Sequence, residues 1–129
     1  MIDIHVVVLL EANKTDTFEV IEYNGYRVSS VNRAFVEMIT NVQYLQSSET
    51  IIEVFTKIKE KLNLDTIYTI IEKFDFIYPY FQLAGFYLEQ IGFLKAELVK
   101  FYDKKSKLNF YTQKNKNHYE FDEYWKVYY

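Results

Sequence analysis

The sequence predicts an α+β domain in which a mostly antiparallel sheet, drawn from N-terminal and C-terminal strands, packs beside a layer of four or five helices. Three observations lead there. Strand-like runs with turn signals between them occupy both ends of the chain. Four stretches between those ends carry apolar residues at helical spacing. The 129 residues are 50% apolar counting Tyr, enough for the core of one domain spanning 1–129.

Ile4 to Leu10 is a β-branched apolar run and reads as a strand covered on both faces. Glu11 to Asp16 is polar and turn-like. Phe18 to Tyr23 half-alternates as a second strand, Asn24-Gly25 is a hairpin signal, and Tyr26 to Val28 pairs back as a third. Ser29 or Ser30 caps the first helix, whose inward stripe is Val31, Phe35, Met38, Ile39 and Val42. Gln43 to Ser48 is a loop, ending in Ser47 or Ser48 as the next cap. The second helix buries Ile51, Ile52, Phe55, Ile58 and Leu62, and Asn63 offers a left-handed stop. Asp65 caps a third helix with Ile67, Ile70, Ile71 and Phe74 inward.

Asp75 to Tyr78 connects to the only proline, Pro79, which suits a first helical turn. The fourth helix runs to Gln90 with the stripe Phe81, Ala84, Gly85, Leu88 and Ile91, and Gly92 ends it. Gly85 inside a helix costs about 1 kcal/mol relative to Ala, so its presence predicts close packing there. A short helix, Lys95 to Phe101, follows. Lys107 to Thr112 and Tyr124 to Tyr129 then read as terminal strands around a polar, basic loop.

Composition narrows the chemistry. There is no Cys, so disulfide frameworks, thiolate metal sites and Cys nucleophiles are excluded. Three glycines leave no phosphate-cradling loop. The first apolar run is too short to span a bilayer and lacks a basic leader, which predicts a cytoplasmic protein without a membrane contact. A net charge of −3 argues against nucleic-acid binding by the chain as a whole. The charge is uneven, however. Lys95, Lys100, Lys104, Lys105, Lys107, Lys114 and Lys116 share one stretch whose only acids are Glu97 and Asp103. That stretch is either a solvated surface or a contact for an acidic partner or phosphate.

His5 in the first strand reads as a packed side chain rather than a ligand. His118 with Glu120, Asp122 and Glu123 could face an oxygen-liking cation, but a solvated loop is the simpler reading. Phe110, Tyr111, Tyr119, Phe121, Tyr124 and Trp125 could stack bases, or they form the apolar face of the terminal strands. Arg33 lies off the predicted buried stripe, in the first turn of a helix, where the macrodipole disfavours a cation. It either pairs with Glu37 four residues on or reaches a partner.

Val28-Ser29-Ser30-Val31-Asn32-Arg33-Ala34-Phe35-Val36-Glu37 resembles a strand-to-helix motif, V-T-S-x-E-R-T-L-V-D, of the C-terminal domain of AbiEi-type antitoxins. Val28, Ser30, Arg33 and Val36 match it. Ser29 stands for Thr, Phe35 for Leu and Glu37 for Asp, while Asn32 and Ala34 depart from its Glu and Thr. Downstream, Asp65 to Phe74 is similar to a Leu/Tyr-rich helix of that family. Gln82, Gly85, Phe86, Leu88, Glu89 and Gly92 are similar to a Q-x-x-G-F-x-L-E-x-x-G segment, and Trp125 to Tyr128 to a closing strand. The resemblance spans Phe18 to Gly92 and more loosely the tail.

In that family a winged helix binds DNA ahead of this domain, and the toxin is nucleotidyltransferase-like. Met1 opens directly on the expected first strand, so a winged helix is not expected ahead of it if the chain is the whole gene product. The resemblance therefore implies a non-enzymatic antitoxin-like interaction domain that binds or neutralises such a toxin, without specific DNA binding. Arg33, Asn32, Glu37, Lys104 and Lys105 are its candidate partner-facing residues. No catalytic residue, metal or cofactor is implied. Two alternatives stay open. One is a small nucleic-acid-processing or nucleotide-binding enzyme domain using Arg33 and the Lys-rich stretch 95–117. The other is a protein that self-associates through its aromatic terminal strands.

Overall fold

A computed structural model of the chain describes residues 18–23, 25–41, 47–74, 78–113 and 116–129. The predicted strand Ile4 to Leu10 with His5, the turn Glu11 to Asp16, Asn24, Val42, most of the loop Gln43 to Ser48, residues 75–77 of the connector, and Lys114 lie outside the described residues.

The order is β1 (Val20–Tyr23), β2 (Tyr26–Ser29), α1 (Val31–Thr40), α2 (Ser48–Lys57), α3 (Leu64–Lys73), α4 (Phe81–Ile91), α5 (Val99–Asp103), β3 (Phe110–Tyr111), β4 (Phe121–Asp122) and β5 (Val127–Tyr128). Short 3-10 turns, Lys59–Lys61 and Lys95–Leu98, follow α2 and precede α5. The fold is thus mixed α+β, with five helices and small sheets among the described residues.

Local chemistry explains most of the boundaries. β1 and β2 pair antiparallel with Tyr23 opposite Tyr26, and Gly25 takes a φ of 80° in the turn, a conformation that favours glycine. The Ser30 hydroxyl accepts from the Arg33 N–H at 3.2 Å and opens α1. Ser47 does the same for α2, accepting from Thr50 at 3.3 Å. Asn63 is a correction: its backbone is extended, not left-handed, and its side-chain Oδ1 caps α3 by accepting from the Thr66 N–H at 2.9 Å. Asp65, expected as the cap, sits in the first turn of the helix, where its charge complements the helix dipole. Gly92, at φ 127°, ends α4 by donating to Leu88 and Glu89.

The helices differ in how far they are enclosed. α2 and α3 bury one stripe, including Ile51 and Phe55 on one and Ile67, Ile70 and Ile71 on the other. α1 is buried from Asn32 to Ile39, and α4 from Gln82 to Leu88. Both are core helices with neighbours all round rather than amphipathic surface helices. Phe35 meets Phe55 edge-to-face at 5.2 Å where α1 crosses α2. Gly85 faces Trp125, and an added Cβ would meet three carbons of the indole ring, the farthest at 2.8 Å. The predicted close approach at Gly85 is that contact.

The strands depart most from expectation. The two ends of the chain form separate sheets among the described residues: β1-β2, and the three-stranded β3-β5-β4. β2 packs on α1 and β5 packs on α4, so each sheet answers to a different core helix. β3 runs parallel to β5 and β4 antiparallel to it. The expected strands Lys107 to Thr112 and Tyr124 to Tyr129 shrink to two residues each. Residues 123–126 instead form the turn between β4 and β5, held by the Trp125 N–H donating to Asp122 Oδ1 at 2.9 Å. That turn drives the Trp125 ring into the core against α4.

Candidate functional site

The three residues of α1 expected to face a partner are inside. Arg33 is 1% exposed and Glu37 5%. Arg33 Nε donates to Glu37 Oε1 at 2.6 Å, its Nη1 donates to the Phe18 carbonyl at 2.8 Å, and its guanidinium lies 4.6 Å from the centre of the Phe74 ring. Glu37 also accepts from the Ser29 hydroxyl at 2.9 Å. Ser30 Oγ donates to Glu19 Oε1 at 3.2 Å. Asn32 Oδ1 accepts from the Asn63 N–H at 2.8 Å, tying α1 to the start of α3. The expectation of an exposed Arg33 is therefore corrected. The pair with Glu37 is real and buried, and it fastens the β1-β2 hairpin and the end of α3 to α1.

Three lysines of the basic stretch are engaged within the chain. Lys95 pairs with Glu89, which raises the ammonium pKa, and it lies over the Tyr124 ring. Lys100 pairs with Asp65 and lies over Tyr68. Lys105 donates to the Tyr124 carbonyl at 3.1 Å and sits 4.4 Å from the centre of Tyr102. Of the two lysines expected to face a partner, Lys104 is exposed and Lys105 is half-buried in this contact. His118 pairs with Glu120 at 3.2 Å on the surface, while Asp122 serves the Trp125 turn.

Two buried polar positions had no partner assigned from sequence. Gln82 is fully enclosed and fully used. Its Nε2 donates to the carbonyls of Leu108 and Trp125 at 2.8 and 3.0 Å, and its Oε1 accepts from the Ser106 N–H and hydroxyl at 2.7 and 3.0 Å. It clasps the C-terminal segment to α4. Tyr87, also enclosed, has a hydroxyl with no hydrogen-bond partner among the described residues. Burial first, then the charge of Glu49, holds its phenol far above the ordinary range.

The surface feature that remains is aromatic. Register places Tyr111 of β3 and Phe121 of β4 on either side of Tyr128 of β5. Tyr111 stacks on Tyr128 at 4.7 Å with 13° between planes, and Phe121 lies 4.6 Å from Tyr128 at 45°. Tyr119 meets Tyr111 edge-to-face at 5.2 Å, its hydroxyl donating to the Gln113 carbonyl at 2.7 Å and accepting from the Lys116 N–H at 3.2 Å. The neighbours Phe110 and Val127 point inward and are buried. Tyr111 is 51% exposed and Phe121 39%. The outward residues of all three strands thus make one continuous aromatic face.

Of the aromatic residues noted in the sequence, Tyr111, Tyr119 and Phe121 belong to this face and Phe110 and Trp125 to the core. Tyr124 stacks on Tyr102 at 4.3 Å elsewhere. Tyr128, at the centre of the face, was missed. The alternation Val127 in, Tyr128 out was the available signal.

Comparison of the chain with protein-family models, with curated proteins and with solved structures gave no match in any of the three.

Proposed function

We propose that this chain is a cytoplasmic, non-enzymatic protein-interaction domain whose working surface is the aromatic face of β3-β5-β4. The observation that carries the reading is the exposed row Tyr111–Tyr128–Phe121, held in fixed register by three strands. Aromatic side chains bury much apolar area at low rotamer cost and dominate the energetics of protein contacts. The way the rings pack favours a protein over a nucleic acid. Tyr128 has Tyr111 against one side and Phe121 against the other, and Tyr119 meets Tyr111 edge-to-face. Base stacking needs open ring faces. Here neighbouring rings already occupy one another's faces, and the exposed remainder suits side chains and backbone.

The antitoxin resemblance supplies the class of partner: a nucleotidyltransferase-like protein. The enclosure of Arg33, Asn32 and Glu37 favours a contact on the aromatic face over one on the motif that carries the resemblance. Affinity capture from the native cell with the full chain, and with a Tyr111→Ala/Phe121→Ala chain, tests this. Stoichiometric recovery of one partner by the wild type and its loss from the variant is the expected result. Equal recovery by both, with the variant folded, would overturn it.

A further inference from the structure

We infer that the aromatic face also takes a second copy of this chain, in a two-fold pairing whose axis lies in the contact plane along β5. The inference rests on the reading of this face as a protein-contact surface. Phe110 and Asp122 both register with Val127, and Tyr111 and Phe121 both register with Tyr128. The sheet is therefore level across its three strands about a central Tyr128. Rotation about an axis along β5 lays β3 of one copy over β4 of the other. Tyr111 then meets Phe121 of the second copy, Phe121 meets Tyr111, and Tyr128 meets itself. A contact of this kind is isologous, so each complementary pair is made twice.

The charges bordering the face have the same antisymmetry. Lys107 leads into β3, and Glu123 follows β4 on the opposite edge. Both are exposed, and neither takes part in an ion pair among the described residues. The pairing brings Lys107 of each copy to the Glu123 edge of the other, at the same end of the strands. Lys126, just before β5, falls near the axis and meets its own copy, so the favourable charge contacts are the two Lys107–Glu123 edge pairs. Strands of two residues make a small patch, below the roughly 800 Å² per partner of a standard stable interface. The pairing is accordingly a concentration-dependent equilibrium rather than a permanent dimer.

Sedimentation equilibrium of the full chain over a wide concentration range, at low and high salt, tests the pairing. The wild type is expected to show a monomer–dimer equilibrium that weakens with salt. Lys107→Glu and Glu123→Lys each place like charges opposite one another twice per dimer and should weaken it about tenfold. The double variant, with the charges exchanged, should recover most of the loss, which a merely structural effect of either residue would not produce. A wild type that stays monomeric to about 1 mM would overturn the pairing. So would single variants that dimerise unchanged, or a double variant no better than the singles. In each case the interaction reading itself would fall only if the Tyr111→Ala/Phe121→Ala chain also kept the captured partner.

Discussion

Replacing Arg33 by Ala should unfold much of what holds this domain together. The guanidinium is 1% exposed, 2.6 Å from Glu37 and 2.8 Å from the Phe18 carbonyl. Truncation takes the Arg33 guanidinium away from the enclosed Glu37 carboxylate and this donor away from the Phe18 carbonyl. Breaking a buried pair by removing one partner costs about 3–5 kcal/mol. The exposed pair expected from sequence would have cost only a few tenths, on the order of 0.3–0.5 kcal/mol. Against a typical stability of about 5–15 kcal/mol the larger figure is a severe loss, equivalent to roughly 10–20 °C in melting temperature. Urea denaturation of Arg33→Ala, Glu37→Ala and the double variant measures it. The double should be less destabilised than the sum of the singles, because the two groups are in direct contact and the singles both lose the same bond. An Arg33→Met/Glu37→Leu chain, apolar at both positions, should recover much of the loss. A cost below about 1 kcal/mol for Arg33→Ala would refute the buried-pair assignment.

The other expected outcomes are smaller or local. Gly85→Ala pushes a methyl into the Trp125 ring and should cost about 1–3 kcal/mol in denaturant melts. Tyr87→Phe removes a hydroxyl that has no partner among the described residues, so its stability should match or exceed the wild type by up to about 1 kcal/mol. The same change alters the alkaline limb. The folded phenol is raised above its ordinary value of about 10, so the unfolded chain loses this proton first and stability falls as pH rises past about 10. Melts between pH 9 and about 11.5 should show a shallower decline for Tyr87→Phe, and identical slopes would count against the enclosed phenol. Lys105→Ala should cost about 0.5–1.5 kcal/mol, since it loses both the bond to the Tyr124 carbonyl and its place over Tyr102.

What could be read from the sequence is what depends on neighbours along the chain. Ser30 and Ser47 cap helices through bonds three residues away, and the Asn24-Gly25 signal gives the hairpin through Gly25. The stripes of α2 and α3 follow from spacing alone. What could not be read depends on contacts distant in sequence. Arg33 is off the apolar stripe of α1, but that helix has no solvent face from Asn32 to Ile39, because the β1-β2 hairpin covers one side and α2, α3 and α4 the others. Lys100 looked free beside other lysines, yet its partner, Asp65, is on α3. The terminal aromatic run looked like one strand because Trp125 has high strand propensity. The bond from its N–H to Asp122 and the space left by Gly85 turn it inward instead.

That inward turn is also what builds the candidate site. Trp125 enters the core against Gly85, its indole N–H donates to Glu89 at 3.0 Å, and its carbonyl accepts from Gln82. Gln82 holds Leu108 and Ser106 on the other approach to the sheet. Both edges of β3-β5-β4 are therefore pinned to one helix, α4, by buried contacts, although the strands themselves have only two residues each. Strands that short cannot hold a face rigid by their ladder bonds alone. With the edges anchored, the outward rings stay in register without a partner. A preorganised face loses little conformational entropy on contact, so more of its burial is left to stabilise a complex. The polar core of α4 and the aromatic surface are for that reason parts of one arrangement: the first fixes the geometry that the second would need in order to bind.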